Sequence, residues 1–362
     1  MYIHEQGNWR DFKFDKSEVL NLLGNVRAKQ GLMLGRLTSL GFEMQDDAML
    51  TTMSLELVRS SEIEGESLNL SEVRSSIARR LGINTAGLIA SSRYVEGIVE
   101  MLLDATQNYD KPLSDSRLFG WHNVLFPTGR SGLYEIEVGK YRTGEMQVIS
   151  GPMGRERVHY EAPKPEKVKE EMAEFINWFN EESVVDPVIK AAIAHLWFVS
   201  IHPFDDGNGR ITRALTDMLL ARSENCSRRF YSMSSEIKLV QKEYYDVLER
   251  TQRGDGDITE WIVWFLRCLE KAIDSTEHIL SSALDKSRFW DRYRDIDLNE
   301  RQRKLINMLF GDFFGKLTSS KWAKIAKCSN DTALNDIKDL VAKGILVKNE
   351  EGGRSTNYSL EK

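Results

Sequence analysis

Cysteine is scarce in this 362-residue chain, with Cys226, Cys268 and Cys328 standing far apart. An odd, scattered set excludes a disulfide framework and a thiolate zinc site, and it predicts a reducing, cytoplasmic setting. Proline is scarce too, at seven residues. So few breaks leave room for long helices. Of the six histidines, His4, His122, His159, His195 and His278 have no carboxylate or cysteine nearby at metal-ligand spacing. The longest apolar stretch, Val188 to Ile201, carries Lys190 and His195 and is too short to cross a bilayer. Met1 to Phe14 lacks the apolar core of a signal peptide, so no membrane attachment is expected. The net charge of −6 excludes an overall basic field for nucleic acid. A Walker loop, a Rossmann glycine fingerprint and a serine elbow are all missing.

What is present is helical periodicity. At 41% hydrophobic and 29% charged residues, the chain reads as an ordinary globular protein of two or three domains. The spacing predicts helices over 15–40, 46–61, 71–81, 91–108, 115–126, 166–180, 188–201, 209–223, 234–253 and 258–294. Before residue 340 the one strand signal is Met146 to Ser150 with Arg157 to Tyr160. Their link contains Gly151, Pro152 and Gly154, which suits a hairpin turn. The predicted fold class is therefore mainly α. His195, on an apolar helix, reads as a satisfied core residue, and Trp261 and Trp264 read as core or interface.

Residues 202–213 carry the chemistry: His-Pro-Phe-Asp-Asp-Gly-Asn-Gly-Arg-Ile-Thr-Arg. Ala191 to Ile201 precede the run as an apolar helix. Ile211, Ala214, Leu215, Met218 and Leu219 follow it at helical intervals. The run is thus a loop whose second half opens a helix, and a helix N-terminus attracts anions. Gly207 and Gly209 let backbone N–H groups approach a phosphate. Arg210 and Arg213 lie three apart on one face and suit further phosphates. Asp206 suits Mg²⁺, which takes oxygen ligands and bridges to nucleotide phosphates. His202 is then free to take a proton from an attacking hydroxyl. The bland alternative is a glycine-bearing helix cap with incidental charges.

The run resembles the signature loop of the Fic family, His-Pro-Phe-x-Asp/Glu-Gly-Asn-Gly-Arg-x-x-Arg, at every fixed position. The resemblance implies a protein adenylyltransferase moving AMP from ATP to a Ser, Thr or Tyr hydroxyl of a protein target, itself included. His202 would be the base and Asp206 the Mg²⁺ ligand. Gly207, Asn208 and Gly209 would line the anion loop, Arg210 would hold the leaving phosphates and Arg213 the γ-phosphate. Phe204 would anchor the loop. Gly139-Lys140-Tyr141-Arg142 before the predicted hairpin, and Ala162-Pro163-Lys164-Pro165 after it, also look like that family. There the hairpin is a flap that takes the target as an added strand.

Ser60-Ser61-Glu62-Ile63-Glu64-Gly65 resembles the family's inhibitory motif, Ser/Thr-x-x-x-Glu-Gly/Asn. Ser60 and Glu64 share a helix face and Gly65 is a helix stop. The resemblance implies that Glu64 pairs with Arg213 and blocks the γ-phosphate. Glu62 and Glu66 are nearby alternatives, and a solvated helix end is the plain reading.

From Leu298 the pattern changes to three short helices, around Leu305 to Phe310, Ser319 to Ala326 and Thr332 to Lys343. Two alternating strands follow, Ile345 to Val347 and Asn357 to Leu360, around Glu350 to Arg354. This order resembles a winged helix-turn-helix. From Asp297 onward twelve Lys/Arg face nine Asp/Glu. DNA binding is open: Lys321, Lys324, Lys327, Lys338 and Arg354 favour it, and Asp331, Asp336 and Asp339 oppose it. Protein contact or packing is the other role. The expected segments are an N-terminal helical region over 1–90 with the inhibitory motif, a Fic core over 91–294 and a winged helix over 295–362. A homodimer is also open. Rival readings are a Fic enzyme that uses another nucleotide or removes AMP, and a DNA-binding regulator whose core only senses nucleotide.

Overall fold

The computed structural model describes residues 1–362 except 8, 39, 84–87, 152–154, 156, 183, 311, 312, 314, 350–355 and 362; of 43, 277–284 and 287 it describes the backbone alone. The chain divides into two compact units, Met1–Glu277 and His278–Lys362.

The first unit is mainly α, as the periodicity predicts. Its helices are α1 (Lys16–Thr38), α2 (Phe42–Ile63), α3 (Leu70–Leu81), α4 (Arg93–Gln107) and α5 (Asp115–Leu125). Short strands β1 (Arg130–Ser131) and β2 (Tyr134–Glu135) and the hairpin β3 (Gln147–Ser150) and β4 (Arg157–Glu161) follow. Then come α6 (Pro165–Asn180), α7 (Pro187–Ile201), α8 (Asn208–Glu224), α9 (Met233–Leu239), α10 (Gln241–Gln252) and the part of α11 (Thr259–Arg292) up to Glu277. Helix starts coincide with side chains that accept the first free N–H groups: Asn69 for α3, Ser92 for α4, Ser114 for α5 and Asp186 for α7. Pro187 follows Asp186 as the first residue of α7, where its missing N–H costs nothing.

Helix α7 is buried along almost its whole length and packs against α8. That is why residues 188–201 are apolar all round rather than striped. Its charged member, Lys190, donates from Nζ to the Glu181 carbonyl (2.6 Å) at the end of α6. His195 is a satisfied core residue, with Nδ1 2.9 Å from Thr216 Oγ1 and Nε2 3.0 Å from the Tyr244 hydroxyl. Trp261 and Trp264 are buried as expected.

Two local expectations need correction. The helix expected over 234–253 is two helices, α9 and α10, which meet at Val240 (φ −116°, ψ 33°). The bend lets Lys238 and Gln241 both reach carbonyls at the end of α2, Glu62 (2.8 Å) and Ile63 (2.9 Å). The pair β1–β2 had no sequence signal, since two residues per strand are too few for an alternation to register.

The hairpin β3–β4 pairs Gln147 with Glu161 through Ser150 with Arg157, with a bulge between Val148 and Ile149. Its expected turn residues Pro152 and Gly154 lie outside the described residues. The buried Tyr160 donates its hydroxyl to the Ser200 carbonyl (2.8 Å) and ties the hairpin to the end of α7.

The second unit holds α12 (Glu300–Leu309), α13 (Ser319–Ala326), α14 (Asn330–Ala342) and the antiparallel pair β5 (Leu346–Lys348) and β6 (Tyr358–Leu360). The order of three helices and two strands is the expected one, and the expected link Glu350 to Arg354 lies outside the described residues. Leu305, Ile306, Trp322, Ile337 and Leu340 form its core. The boundary expected between residues 294 and 295 falls after α11, while the division between the units falls within that helix.

Candidate active site

Helix α7 ends because His202 adopts a left-handed backbone (φ 50°). That conformation is uncommon outside glycine, and it turns the chain into the loop 202–207. Phe204 is fully buried and stacks on the His122 ring (centroids 4.3 Å apart), so it anchors the loop as expected. Asn208 folds its amide back: Oδ1 accepts from the Phe204 N–H (3.0 Å) and Nδ2 donates to the Phe204 carbonyl (2.7 Å). Its side chain therefore braces the loop.

The Nδ1 atom of His202 lies 3.2 Å from the Val199 carbonyl. A carbonyl accepts only, so Nδ1 carries the proton and Nε2 holds the lone pair. Burial holds the imidazole below its ordinary pKa. The bond to Val199 pulls it back, Arg142 pushes it further down, and Glu64 and Asp206 pull back again. The result is a neutral imidazole whose acceptor nitrogen has no partner among the described residues, the state a general base needs.

Helix α8 begins after Gly207, whose φ is +81°. A Cβ there would also meet the Phe126 ring at 2.8 Å. The Gly207 N–H is already given to Asp206 Oδ1 (2.5 Å). Gly207 therefore answers to the turn and to Phe126, whereas Gly209 is the glycine facing the site: a Cβ on it would collide with the Glu64 carboxylate. A carboxylate thus lies over the N-terminus of α8, where an anion is favoured.

That carboxylate comes from the end of α2. Gly65 takes φ +81°, and the Glu66 N–H bonds back to the Ser61 carbonyl (2.9 Å). This is a Schellman-type turn, and it aims the glutamates on either side of the glycine at α8. Glu64 Oε1 accepts from Arg213 Nη2 (2.7 Å), whose Nε donates to Ser60 Oγ (2.8 Å) and Nη2 to the Ser60 carbonyl (2.9 Å). Burial works against the Arg213 charge, but Glu64 and nearby phenol groups outweigh it and its pKa is raised. Glu66 meets the other arginine: Arg210 Nη1 donates to its Oε2 (2.8 Å) and to the Tyr94 hydroxyl. Glu62, the remaining alternative, pairs with Arg59 (2.6 Å).

Asp206 accepts from Ser131 Oγ and stands 3.8 Å from Arg210 Nη2, with 41% of its side chain exposed. The described residues hold no group of three or more His, Cys, Asp or Glu suited to a metal ion. A single exposed carboxylate does not make a protein cage. It does fit Mg²⁺, which keeps waters and takes its other oxygens from phosphates.

The structure thus gathers His202, Asp206, Gly207, Gly209, Arg210, Arg213, Ser60, Glu64 and Gly65 around one helix N-terminus. It adds residues the sequence did not single out. Tyr94 reaches Arg210, and Ser131 holds Asp206. His122 donates Nε2–H to the Asp206 carbonyl (3.1 Å) and accepts the Gly139 N–H at Nδ1 (3.1 Å). Burial lowers its pKa to about 4. Arg142, known only as part of the hairpin's flank, donates to the carbonyls of His202 (2.8 Å), Gly144 (2.8 Å), Pro163 (2.6 Å) and Ile201 (3.4 Å). These partners lie far along the chain, so no local pattern marks them.

The chain is similar to known proteins over two stretches. A model described as "Fic/DOC family" matches residues 112–220, and one described as "Domain of unknown function (DUF4172)" matches residues 2–83. A protein named "Protein adenylyltransferase fic-1" from Caenorhabditis briggsae is 40% identical over 90 residues, covering 24% of this chain and 16% of its own length. "Protein adenylyltransferase Fic" from Nematostella vectensis is 26% identical over 227 residues, covering 60% of this chain and 47% of its own. The chain therefore spans less than half the length of these curated relatives. A Fic family protein from Desulfovibrio desulfuricans G20 aligns with a TM-score of 0.53 at 21% identity, over 95% of this chain and 96% of that one, a likeness of fold. The stretch that resembles the Fic/DOC family, residues 112–220, contains the His202–Arg213 loop between α7 and α8.

Proposed function

We propose that the protein is an adenylyltransferase that moves AMP from ATP to a hydroxyl of a protein target. The observation that carries the reading is the Arg213–Glu64 pair over Gly209: a carboxylate sits where an anionic substrate would meet a buried arginine and a helix N-terminus. Its neighbour His202 has its lone pair on Nε2. In this reading Nε2 takes the proton of a Ser, Thr or Tyr hydroxyl. That oxygen bonds to the α-phosphorus, the bond from the α-phosphorus to the bridging oxygen breaks, and pyrophosphate leaves. Arg210 holds the leaving phosphates and Arg213 the γ-phosphate, while the Gly209 backbone faces the anion. Asp206 is the residue to hold Mg²⁺, which when bound would offset phosphate charge.

The same reading makes Glu64, set by Ser60 and Gly65, an inhibitor, because Arg213 cannot give one donor to carboxylate and phosphate together. The hairpin β3–β4 serves as the flap: β3 pairs with β4 alone among the described strands, and an extended peptide would add to its other edge. Residues 1–90, 91–294 and 295–362 serve as inhibitory region, catalytic core and winged helix. One observation favours DNA contact through the last segment. Asp336 is bound by Arg301 (2.8 Å) and Asp339 by Gln302 (2.7 Å), so two of the three opposing acids are spent internally.

The test is incubation with labelled ATP, GTP, UTP and CTP, followed by a search for an added AMP on protein side chains. His202→Ala should lower transfer by about 10²-fold or more and keep ATP affinity. Transfer at the wild-type rate by that variant would exclude the assignment.

A further inference from the structure

Glu66 is the carboxylate that the proposed reaction leaves without a role. It follows Gly65, on the other side of the glycine from Glu64, and the same turn sets its direction. Its partner Arg210 is 2% exposed at the side chain, while Glu66 is 40% exposed. The guanidinium packs over the Phe126 ring, 5.0 Å from its centroid. Its Nε has no hydrogen-bond partner among the described residues. Arg210 is therefore a buried cation whose nearest carboxylate reaches in from a half-exposed side chain. A group so placed can swing away without leaving a buried charge of its own. Tyr94 bridges the two, donating its hydroxyl to Glu66 and accepting from Arg210. Burial first, and then Glu66 and Asp206, raise the phenol pKa against the pull of Arg210, so the proton stays on.

We propose that Glu66 is a second inhibitory carboxylate, which occupies on Arg210 the place of the leaving phosphates as Glu64 occupies on Arg213 the place of the γ-phosphate. The proposal rests on the adenylyl-transfer reading for the identity of those phosphates. One helix end then closes the site at two points, and ATP must displace both carboxylates. The two pairs share no donor and no acceptor. Removing either carboxylate should therefore tighten ATP by itself. Tyr94 stays with Arg210 when Glu66 departs and keeps the guanidinium aimed.

The experiment measures ATP binding by calorimetry in Mg²⁺ for the full chain, for Glu66→Gln, for Glu64→Gly and for both together. Glu66→Gln should tighten ATP about fivefold in either background, the upper end for an ion pair with one partly exposed member. Arg210→Ala should remove that gain. Glu66→Asp provides a second variant: it keeps the charge, is one methylene shorter, and should tighten ATP as well. Variants that melt like the wild type but bind ATP no more tightly would overturn the proposal. So would a gain that survives Arg210→Ala. If ATP binding tightens as expected and no variant transfers AMP to any protein, the double closure stands and the adenylyl-transfer reading falls.

Discussion

The guanidinium of Arg142 donates from Nε to the carbonyl of His202, 2.8 Å away, and the backbone N–H of Arg142 donates to the Pro203 carbonyl at 2.9 Å. One buried side chain thus fixes the turn that carries the candidate base. It also binds Gly144, before β3, and Pro163, after β4. Among the described residues no carboxylate pairs with it. Its charge acts on the neighbouring imidazole, which it holds down.

Arg142→Gln should therefore change the pH profile as well as the stability. His202 must be neutral to accept a proton, so activity falls as pH drops through its pKa. That pKa lies below the ordinary imidazole value in the intact protein. Without the Arg142 charge it rises, and the acid limb of kcat/KM should move to higher pH. The freed carbonyls should cost about 2–4 kcal/mol in denaturant unfolding. A loss of stability with an unmoved acid limb would leave Arg142 a purely structural residue.

Glu64→Gly should raise AMP incorporation, roughly tenfold, the lower end of what a charge-assisted hydrogen bond contributes. Glu64 also holds the His202 pKa up, so its removal should shift the acid limb to lower pH, opposite in sign to Arg142→Gln. Adding Arg213→Ala should cancel the gain. Self-labelling equal to the wild type at saturating ATP and Mg²⁺ would mark residues 60–65 as an ordinary helix end.

Asp206→Ala should abolish the dependence of activity on Mg²⁺ in the millimolar range. A Mg²⁺ titration of transfer rate reads this directly. An unchanged midpoint would place the ion elsewhere.

Gly207→Ala should unfold more easily by about 1–3 kcal/mol, because a Cβ at φ +81° is strained and meets Phe126 at 2.8 Å. Urea unfolding of both proteins gives the difference. A stability equal to the wild type would mean that loop 202–207 relaxes freely, against the bracing by Phe204 and Asn208.

Local chemistry is what the sequence determined by itself. Helix α8 was legible from Ile211, Ala214, Leu215, Met218 and Leu219, because helical spacing is a property of neighbours along the chain. The signature loop, the Ser60–Gly65 turn and the hairpin were legible for the same reason. So was the sense of each group: His202 a base, Asp206 a hard oxygen ligand, Arg210 and Arg213 anion binders. What the tertiary structure alone decided is which group meets which. Glu66 and Arg210 lie 144 positions apart, Ser131 and Asp206 75, and Arg142 and His202 60. A side chain's partner at such range is set by helix packing, which leaves no periodicity in the sequence. Packing also reassigned roles that local reading had merged: Gly207 to the turn and Phe126, Gly209 to the face that Glu64 covers, Asn208 to the loop's own backbone. A glycine or an amide has the same sequence signal whether it faces a ligand or a ring, and only the neighbouring helices choose between them.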